Sequence, residues 1–339
     1  MKKLYCAAAL IFFLWPAILL AVSENTYEDT FRTDVAPYFD MGERGSFAGE
    51  DGIRINYIAF ERDDEAGALV ILHGMCESYI KYAELVYDLR DLGLSVYLMD
   101  HRGFGFSERL APDVPSKVYV HDFDNYVADL KTFVDTVVNR KPHDRLLLIA
   151  HSMGGGIAAR YLELYPSDVT AAVLSAPMLQ LHTQEYPEVV AYLLTVVNKA
   201  LGNGTGYAPG QGPPEECTFI DNTVTHSYKR WANWELNLKA DCPDVISGGI
   251  TYNWIKECME AVWMARADAP SLTTPVLLFQ ADEDTYVKPA GQDDLCEQAA
   301  DCSKIFFHGA RHEILMEVDA IRDIALDYIK SFFSLYIDT

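Results

Sequence analysis

The sequence predicts an α/β protein whose doubly wound, mostly parallel sheet carries a helical insertion before its last core strands. Three observations lead to this prediction. Short apolar runs alternate with longer helical patterns from residue 53 onward, the alternation stops between about residues 180 and 270, and it resumes at Pro275. Strands that alternate with helices are typical of a parallel sheet covered on both faces. A chain of 339 residues is long enough for one large domain of this kind or for two ordinary ones.

The individual elements follow from the period of the apolar residues. Continuous or alternating apolar runs predict strands at 53–60, 68–72, 95–99, 146–150, 171–174, 276–279 and 305–307. A stripe of apolar residues at helical spacing predicts a helix over 122–139, and the carboxylate of Asp122 is suited to capping its first turn. The core is therefore expected in two parts, 24–179 and 271–339.

The segment 180–270 is predicted to form a cap over the carboxyl ends of the strands. It contains an apolar helix at 189–201, a glycine-containing loop at 202–210 and a stretch rich in tryptophan. The loop lacks the spacing of a phosphate-binding motif and does not follow a strand. The helix is apolar on more than one face, so we expect it either to pack against the core or to line a tunnel for substrate.

The N-terminus has the pattern of a secretory signal peptide. Lys2 and Lys3 precede the apolar run 4–22, and the small residues Ala21 and Ser23 lie at its end. Residues 1–23 are therefore predicted to be a cleaved signal. The run is also close to the roughly 20 residues that span a bilayer, so an uncleaved anchor is the alternative. Both interpretations place the folded part outside the cytoplasm, in the periplasm or secreted.

Charge and cysteine content restrict the possible partners. The chain has 27 basic and 50 acidic residues and a formal net charge of −23, which disfavours binding to nucleic acid. The six cysteines after the predicted signal lack the spacing of a zinc site. Their even number permits disulfides in an oxidising compartment, and Cys296 and Cys302 are close enough in sequence to form one. Buried free thiols are the alternative for Cys76 and Cys258.

The residues around Ser152 carry the strongest local signal. An apolar strand leads directly into Ser152, which is flanked by small residues, and a helical pattern begins immediately after it. This strand–turn–helix arrangement is typical of a strained turn that exposes a nucleophilic serine. The alternative is a serine that only caps a glycine-rich helix. Free amides at the start of that helix, Met153 first among them, would face negative charge that develops at the serine.

A second loop could supply another amide to the same site. His73-Gly74-Met75 follows the first buried strand, and the N–H groups of Met75 and Met153 are predicted to form an oxyanion hole. In this chain order the acid and then the histidine follow the serine. His312 lies on a loop after a late strand and is preferred over His308, which is still at the strand's end. Asp282, Glu283 and Asp284 all remain candidates for the acid.

Four segments resemble the monoacylglycerol lipase and lysophospholipase branch of the α/β-hydrolases. They are His-Gly-x-x-Glu-Ser-Tyr at 73–79, Asp-His-Arg-Gly-Phe-Gly-x-Ser at 100–107, Ala-His-Ser-Met-Gly-Gly at 150–155 and Gly-Ala-Arg-His-Glu at 309–313. The resemblance extends from about residue 45 to the C-terminus. It implies an α/β-hydrolase fold with a catalytic triad of Ser152, Asp284 and His312, in which the family's acid falls on Asp284.

The resemblance also implies a function. It predicts a carboxylic ester hydrolase that cleaves a single-chain lipid ester, either a lysophospholipid or a monoacylglycerol, without a metal or an organic cofactor. Its partners would be the lipid ester and, through the cap or the N-terminal segment, a membrane surface. The alternatives are a short-chain carboxylesterase or a serine peptidase with the same triad, and a non-catalytic protein that kept the fold for binding.

Overall fold

The computed structural model describes residues 21–183 and 186–337. Eight strands form one sheet in the order β1-β2-β4-β3-β5-β6-β7-β8. β2 pairs antiparallel with β1 and β4, and every other pair is parallel. The strands are β1 (Glu43–Ala48), β2 (Arg54–Phe60), β3 (Ala68–Leu72), β4 (Ser95–Met99), β5 (Leu146–His151), β6 (Ala171–Ser175), β7 (Val276–Ala281) and β8 (Cys302–Phe307).

Helices cover both faces of this sheet, as the sequence predicts. β3, β5, β6 and β7 are buried at every position, which explains why their sequences read as continuous apolar runs. One apolar core includes Tyr126, Ile157 and Trp254, and a second core on the other face includes Leu85 and Ile329. The helices are α1 (Tyr27–Thr30), α2 (Ala36–Phe39), α3 (Ala83–Asp88), α4 (Asp124–Thr136), α5 (Met153–Leu164), α6 (Glu188–Ala200), α7 (Tyr228–Ala232), α8 (Lys239–Asp241), α9 (Tyr252–Asp268), α10 (Pro289–Gln298) and α11 (Asp319–Ile337).

The two edges of the sheet differ from the sequence prediction. β1 was not predicted, because its alternating polar residues are largely exposed at the edge and give no apolar run. β8 begins at Cys302, three residues before the predicted strand, for the same reason. α4 is shorter than predicted, although the Asp122 carboxylate does accept the amide of Asp124 at 3.0 Å, near the start of the helix.

The chain between β6 and β7 forms the insertion, which contains α6 to α9. α6 packs on α9 through its polar side: Tyr192 Oη donates to Glu260 at 2.6 Å, and Lys199 Nζ donates to Glu257 at 2.8 Å. Its apolar side chains are left in solvent, with 39–78% of their surface exposed. They are Val189, Val190, Leu193, Leu194, Val197 and Leu201. This apolar side of the helix therefore does not pack on the core, and its role in lining a tunnel for substrate stays a prediction.

The start of the described chain is held by the folded domain. The Val22 amide donates to Asp88 Oδ1 at 3.0 Å, and Ser23 Oγ donates to Asp319 Oδ2 at 2.8 Å. Residues 1–20, which make up most of the predicted signal or anchor, lie outside the described residues. Within the described ranges, no helix combines the length and apolar character needed to cross a membrane.

Cys296 and Cys302 form a disulfide that joins α10 to β8, with their Cα atoms 5.2 Å apart. The sequence predicts this bridge. Cys76 and Cys258 are free thiols, as are Cys217 and Cys242.

Candidate active site

Ser152 lies on a strained turn between β5 and α5. Its backbone has φ 51° and ψ −116°, a conformation that costs free energy in a residue with a side chain. The following glycines are required by close packing. A Cβ at Gly154 would lie 2.6 Å from the carbonyl oxygen of His73, and one at Gly155 would lie 2.6 Å from Pro177 Cβ. Small residues therefore allow the strand, the helix and the 73–75 loop to meet at Ser152.

His312 lies between Ser152 and Asp284. Its Nε2 is 2.8 Å from Ser152 Oγ, and its Nδ1 is 2.6 Å from Asp284 Oδ2. An ionised carboxylate only accepts hydrogen bonds, so Nδ1 carries the proton and Nε2 is free to accept the hydroxyl proton of Ser152. This is the arrangement of a nucleophile, a base and an orienting acid.

Asp284 is held as an ionised acceptor. Its Oδ1 accepts the amides of Tyr286 at 2.8 Å and Val287 at 3.1 Å, while Oδ2 faces His312. Burial acts to raise the pKa of this carboxyl, but the hydrogen bond from His312 and the two amides outweigh burial and hold the pKa below its ordinary value. The carboxylate is therefore suited to orient the imidazole.

The two competing acids are engaged elsewhere. Asp282 Oδ1 accepts the Gly309 amide at 2.8 Å, and Glu283 Oε2 lies 3.2 Å from His226 Nε2. Among the three acids considered from sequence, the structure places only Asp284 on the imidazole of His312. The other histidine candidate, His308, has a side chain that is 84% exposed and faces Asp282.

The 73–75 loop packs against Ser152. A Cβ at Gly74 would lie 3.3 Å from Ser152 Cβ, so the backbone leading to Met75 is in contact with the serine. Met153 is the first residue of α5, where the amide has no partner within the helix. The two chain segments that carry the Met75 and Met153 amides thus both adjoin Ser152.

Side chains fix the Gly74 backbone on both sides. Its N–H donates to Glu77 Oε2 at 2.7 Å, and its carbonyl oxygen is 2.6 Å from His73 Nδ1. Since His73 Nε2 accepts the amide of His101 at 3.0 Å, Nδ1 must carry the proton and donate to Gly74. His73 is fully buried, and burial lowers its pKa to about 4, so the ring stays neutral near pH 7.

Sequence analysis did not find a buried charge cluster beside the site. Carboxylate oxygens of Glu77 and Glu313 and a ring nitrogen of His151 lie within 4.8 Å of one another, a spacing suitable for metal ligands. The ammonium of Lys81 is already there, 2.6 Å from Glu77 and 2.5 Å from Glu313. Glu77 lies in the family-like segment 73–79, but from sequence Glu77 and Lys81 resemble an ordinary helix surface pair four residues apart, and nothing indicated a bridge to Glu313.

The insertion contacts the loop that carries His312. The Glu313 amide donates to the carbonyl oxygen of Val224 at 2.8 Å. Tyr286 forms a hydrogen bond with Thr223 at 2.9 Å, and its ring lies 5.1 Å from the His312 ring. Residues 222–225 of the insertion are therefore direct neighbours of the base.

The family model described as "Serine aminopeptidase, S33" matches residues 63–319. The chain belongs to this family of α/β-hydrolases. The match includes Ser152, Asp284 and His312 and also spans the insertion between β6 and β7.

Curated relatives of this family member cover almost its whole length. Lysophospholipase L2 of Escherichia coli strain K12 is 34% identical over 318 residues, which are 92% of this chain and 93% of the relative. Monoacylglycerol lipase of Mycolicibacterium smegmatis is 30% identical over 85% of this chain and 95% of its own.

Solved structures share the fold. A soluble variant of monoglyceride lipase from Saccharomyces cerevisiae has a TM-score of 0.66 at 19% identity and matches 86% of this chain and 93% of its own. A carboxyl esterase from Bacillus coagulans has a TM-score of 0.71 at 17% identity, over 87% and 99% of the two chains.

Proposed function

We propose that this chain is a serine hydrolase that cleaves the acyl ester of a single-chain lipid, a lysophospholipid or a monoacylglycerol, through an acyl-enzyme. The observation that carries this proposal is the position of His312 between Ser152 Oγ and the Asp284 carboxylate. The names of the curated relatives, lysophospholipase and monoacylglycerol lipase, support the substrate class.

The proposed mechanism uses groups of this chain at every step. Ser152 Oγ attacks the ester carbonyl while His312 Nε2 takes its proton, and Asp284 stabilises the imidazolium that forms. The amides of Met75 and Met153 donate to the oxyanion of the tetrahedral intermediate. His312 then protonates the leaving alcohol, and in the second half it activates the water that hydrolyses the acyl-enzyme.

The insertion acts in this proposal as the cap of the site. Residues 222–225 adjoin His312, and α6 presents its apolar side to solvent. An apolar helix side on the surface is suited to lie at the interface of a lipid aggregate, from which a single-chain substrate could pass to the site. The net charge of −23 favours neutral or zwitterionic head groups over anionic ones at low salt.

Export is the second part of the proposal. Residues 1–23 act as a signal peptide or, uncleaved, as an anchor through residues 4–22, and the hydrolase works in the periplasm or outside the cell. The disulfide between Cys296 and Cys302 supports an oxidising compartment.

The test is a panel of esters compared at equal substrate concentration. Four kinds of substrate distinguish a single-chain lipid hydrolase from an esterase, a phospholipase and a peptidase. They are a homologous series of single-chain esters, an acetyl ester, a matched diacyl phospholipid and an aminoacyl peptide. Each buried CH₂ contributes about 0.8 kcal/mol, so kcat/KM should rise with acyl length and then level off. Preference for the acetyl ester, the diacyl lipid or the peptide would move the assignment to an esterase, a phospholipase or a peptidase.

The Ser152→Ala variant is the control for this panel. It should lose about 10⁴- to 10⁶-fold in kcat while keeping its fold, because the nucleophile is absent. Near-normal turnover by this variant would overturn the mechanism for every substrate in the panel. Stoichiometric labelling of the wild type, but not of Ser152→Ala, by a fluorophosphonate would exclude a non-catalytic binding protein.

A further inference from the structure

A single buried ammonium links the two loops that meet at Ser152. Lys81 Nζ lies 2.6 Å from Glu77 Oε1 and 2.5 Å from Glu313 Oε1. The three side chains are 5%, 5% and 11% exposed for Lys81, Glu77 and Glu313. Such burial distinguishes the pair of residues 77 and 81 from a solvent-exposed helix pair, whose contribution to stability is small.

One end of this link holds the backbone that leads to the Met75 amide. Glu77 uses its second oxygen to accept the Gly74 N–H at 2.7 Å, and His73 donates to the Gly74 carbonyl. The described peptide bonds are all trans, so the Met75 N–H points away from the Gly74 carbonyl oxygen within the same peptide plane. Glu77 thus holds the 73–74 peptide and His73 holds the 74–75 peptide, so a movement of the Glu77 carboxylate would shift Gly74 and the Met75 N–H that follows it.

The other end of the link holds the base loop. Glu313 directly follows His312, and its amide is fixed by the carbonyl oxygen of Val224 at 2.8 Å. Its side chain reaches back to Lys81. The Glu313 residue is thus held at its backbone by the insertion and at its carboxylate by the segment that follows the 73–75 loop.

We propose that Lys81 is a positioning residue that keeps the Met75 amide and the His312 imidazole at a fixed separation across Ser152, by bridging Glu77 and Glu313. This inference rests on the proposed hydrolase function. Without the ammonium, two buried carboxylates with oxygens less than 4.8 Å apart would repel each other. The two loops would then separate, and a displacement of about 1 Å at the reacting groups costs on the order of 10²-fold in rate.

The pKa of Glu77 is consistent with this link. Burial acts to raise the pKa of the carboxyl, but the Lys81 ammonium and the hydrogen bonds from Gly74, Tyr82 and Lys81 hold it below the ordinary range. Glu77 is therefore ionised beside Lys81, whereas burial and the nearby Glu77 raise the pKa of Glu313. Removal of Lys81 would leave these two buried carboxyls without their shared cation.

The experiment compares Lys81→Met with a matched control, Arg160→Met. Arg160 is also a buried cation between two carboxylates, 2.7 Å from Glu163 and 2.8 Å from Asp268. It lies eight residues after Ser152 on α5, roughly 12 Å along the helix, and has no contact with the reacting groups. The measurements are kcat and KM for a soluble single-chain ester, the second-order rate of Ser152 phosphonylation by a fluorophosphonate, and Tm.

Lys81→Met should lower kcat and the phosphonylation rate by about 10²-fold with a small change in KM, since only the geometry of the reacting groups changes. Arg160→Met should lower Tm and leave both rates near those of the wild type. Adding Glu313→Gln to Lys81→Met should recover part of the lost rate, because a neutral amide ends the repulsion. A Lys81→Met enzyme with wild-type rates, or a loss of rate in Arg160→Met of the same size, would overturn the proposal.

Two further measurements keep the outcome decisive. If Lys81→Met fails to fold, the single variant Glu313→Gln is tested instead; it keeps the Lys81–Glu77 pair and should still lower the phosphonylation rate, whereas an unchanged rate would overturn the bridge. A wild type that is not phosphonylated at Ser152 would refute the proposed function itself, which separates that failure from a failure of the positioning role.

Discussion

The Asp284 carboxylate lies 2.6 Å from His312 Nδ1, whereas the Asp282 carboxylate, two residues earlier on the same loop, accepts the Gly309 amide at 2.8 Å. Two chemically identical side chains thus have different partners because the chain turns sharply after β7. The backbone amides of Tyr286 and Val287 complete that turn by donating to Asp284.

Asp284→Asn should reduce kcat by about 10⁴-fold, because an amide at this position favours the wrong tautomer of His312. Asp282→Asn is the matched control, and its kcat should stay close to that of the wild type. Steady-state kinetics on a single-chain ester check both variants. The reverse ranking would show that the acid of the triad is Asp282.

The contribution of the buried histidines to the free energy of unfolding should be lost as the pH is lowered from about 6.5 to about 4. Burial lowers the pKa of His73 to about 4 and that of His151 to about 3, from an ordinary value of 6.5. The unfolded chain therefore binds protons in a range where the folded chain does not, which favours unfolding by roughly 1.4 kcal/mol per pH unit for each histidine. Burial raises the pKa of Asp100 to about 7 and that of Glu163 to about 8, which has the opposite effect on stability in this range. NMR titration of the histidine rings therefore measures the histidine contribution directly, and urea unfolding at pH 7 and pH 5 measures the sum.

His308→Gln is the control for that experiment. Its side chain is 84% exposed, so the variant should show the same dependence of stability on pH as the wild type. A ring of His73 or His151 that becomes protonated near pH 6.5 in the folded protein would contradict the assignment of neutral buried histidines.

Alkylation of the purified protein without reductant should leave Cys296 and Cys302 unmodified, since they are joined in a disulfide. Replacing both with serine should lower the free energy of unfolding by about 2 kcal/mol, the value expected for a loop of this length. Intact mass and urea unfolding are the measurements. Two alkylated thiols at these positions in the untreated protein would rule out the bridge.

Leu193→Ser combined with Val197→Ser should weaken binding to zwitterionic lipid vesicles by about tenfold, because both exposed side chains lie on one side of α6. Hydrolysis of a soluble short-chain ester should be unchanged. Vesicle co-sedimentation measures binding, and Leu335→Ser on α11, which is 65% exposed, is the control. Equal binding by the double variant and the wild type would show that α6 does not contribute to binding at the lipid surface.

The sequence predicts the sheet interior well because strands that are buried on both faces consist of continuous apolar residues. β3, β5, β6 and β7 are continuous apolar runs, and the turn at Ser152 needs glycines that the sequence displays. The edge strand β1 is half in solvent, so its sequence alternates without a clear apolar run. Local patterns therefore identify the centre of the sheet and miss its edge.

The features that the sequence did not predict depend on contacts between distant segments. Lys81 acquires its second partner, Glu313, from a loop 232 residues later. Tyr192 and Lys199 of α6 donate hydrogen bonds to Glu260 and Glu257 of α9, and these contacts determine which side of α6 is covered. Apolar periodicity describes a helix by itself and contains no information on which neighbour will cover it.

The insertion and the catalytic residues lie in separate segments of this chain, so the two can change independently during evolution. β6 and β7 are neighbours in the sheet, and the whole insertion leaves after one and returns before the other. Ser152, Asp284 and His312 lie outside it, on loops anchored to the sheet. With the insertion as the proposed cap, changes in its length or sequence would alter which molecules reach the serine while the reacting groups are inherited unchanged. Substrate preference in such a chain would then diverge faster than its chemistry.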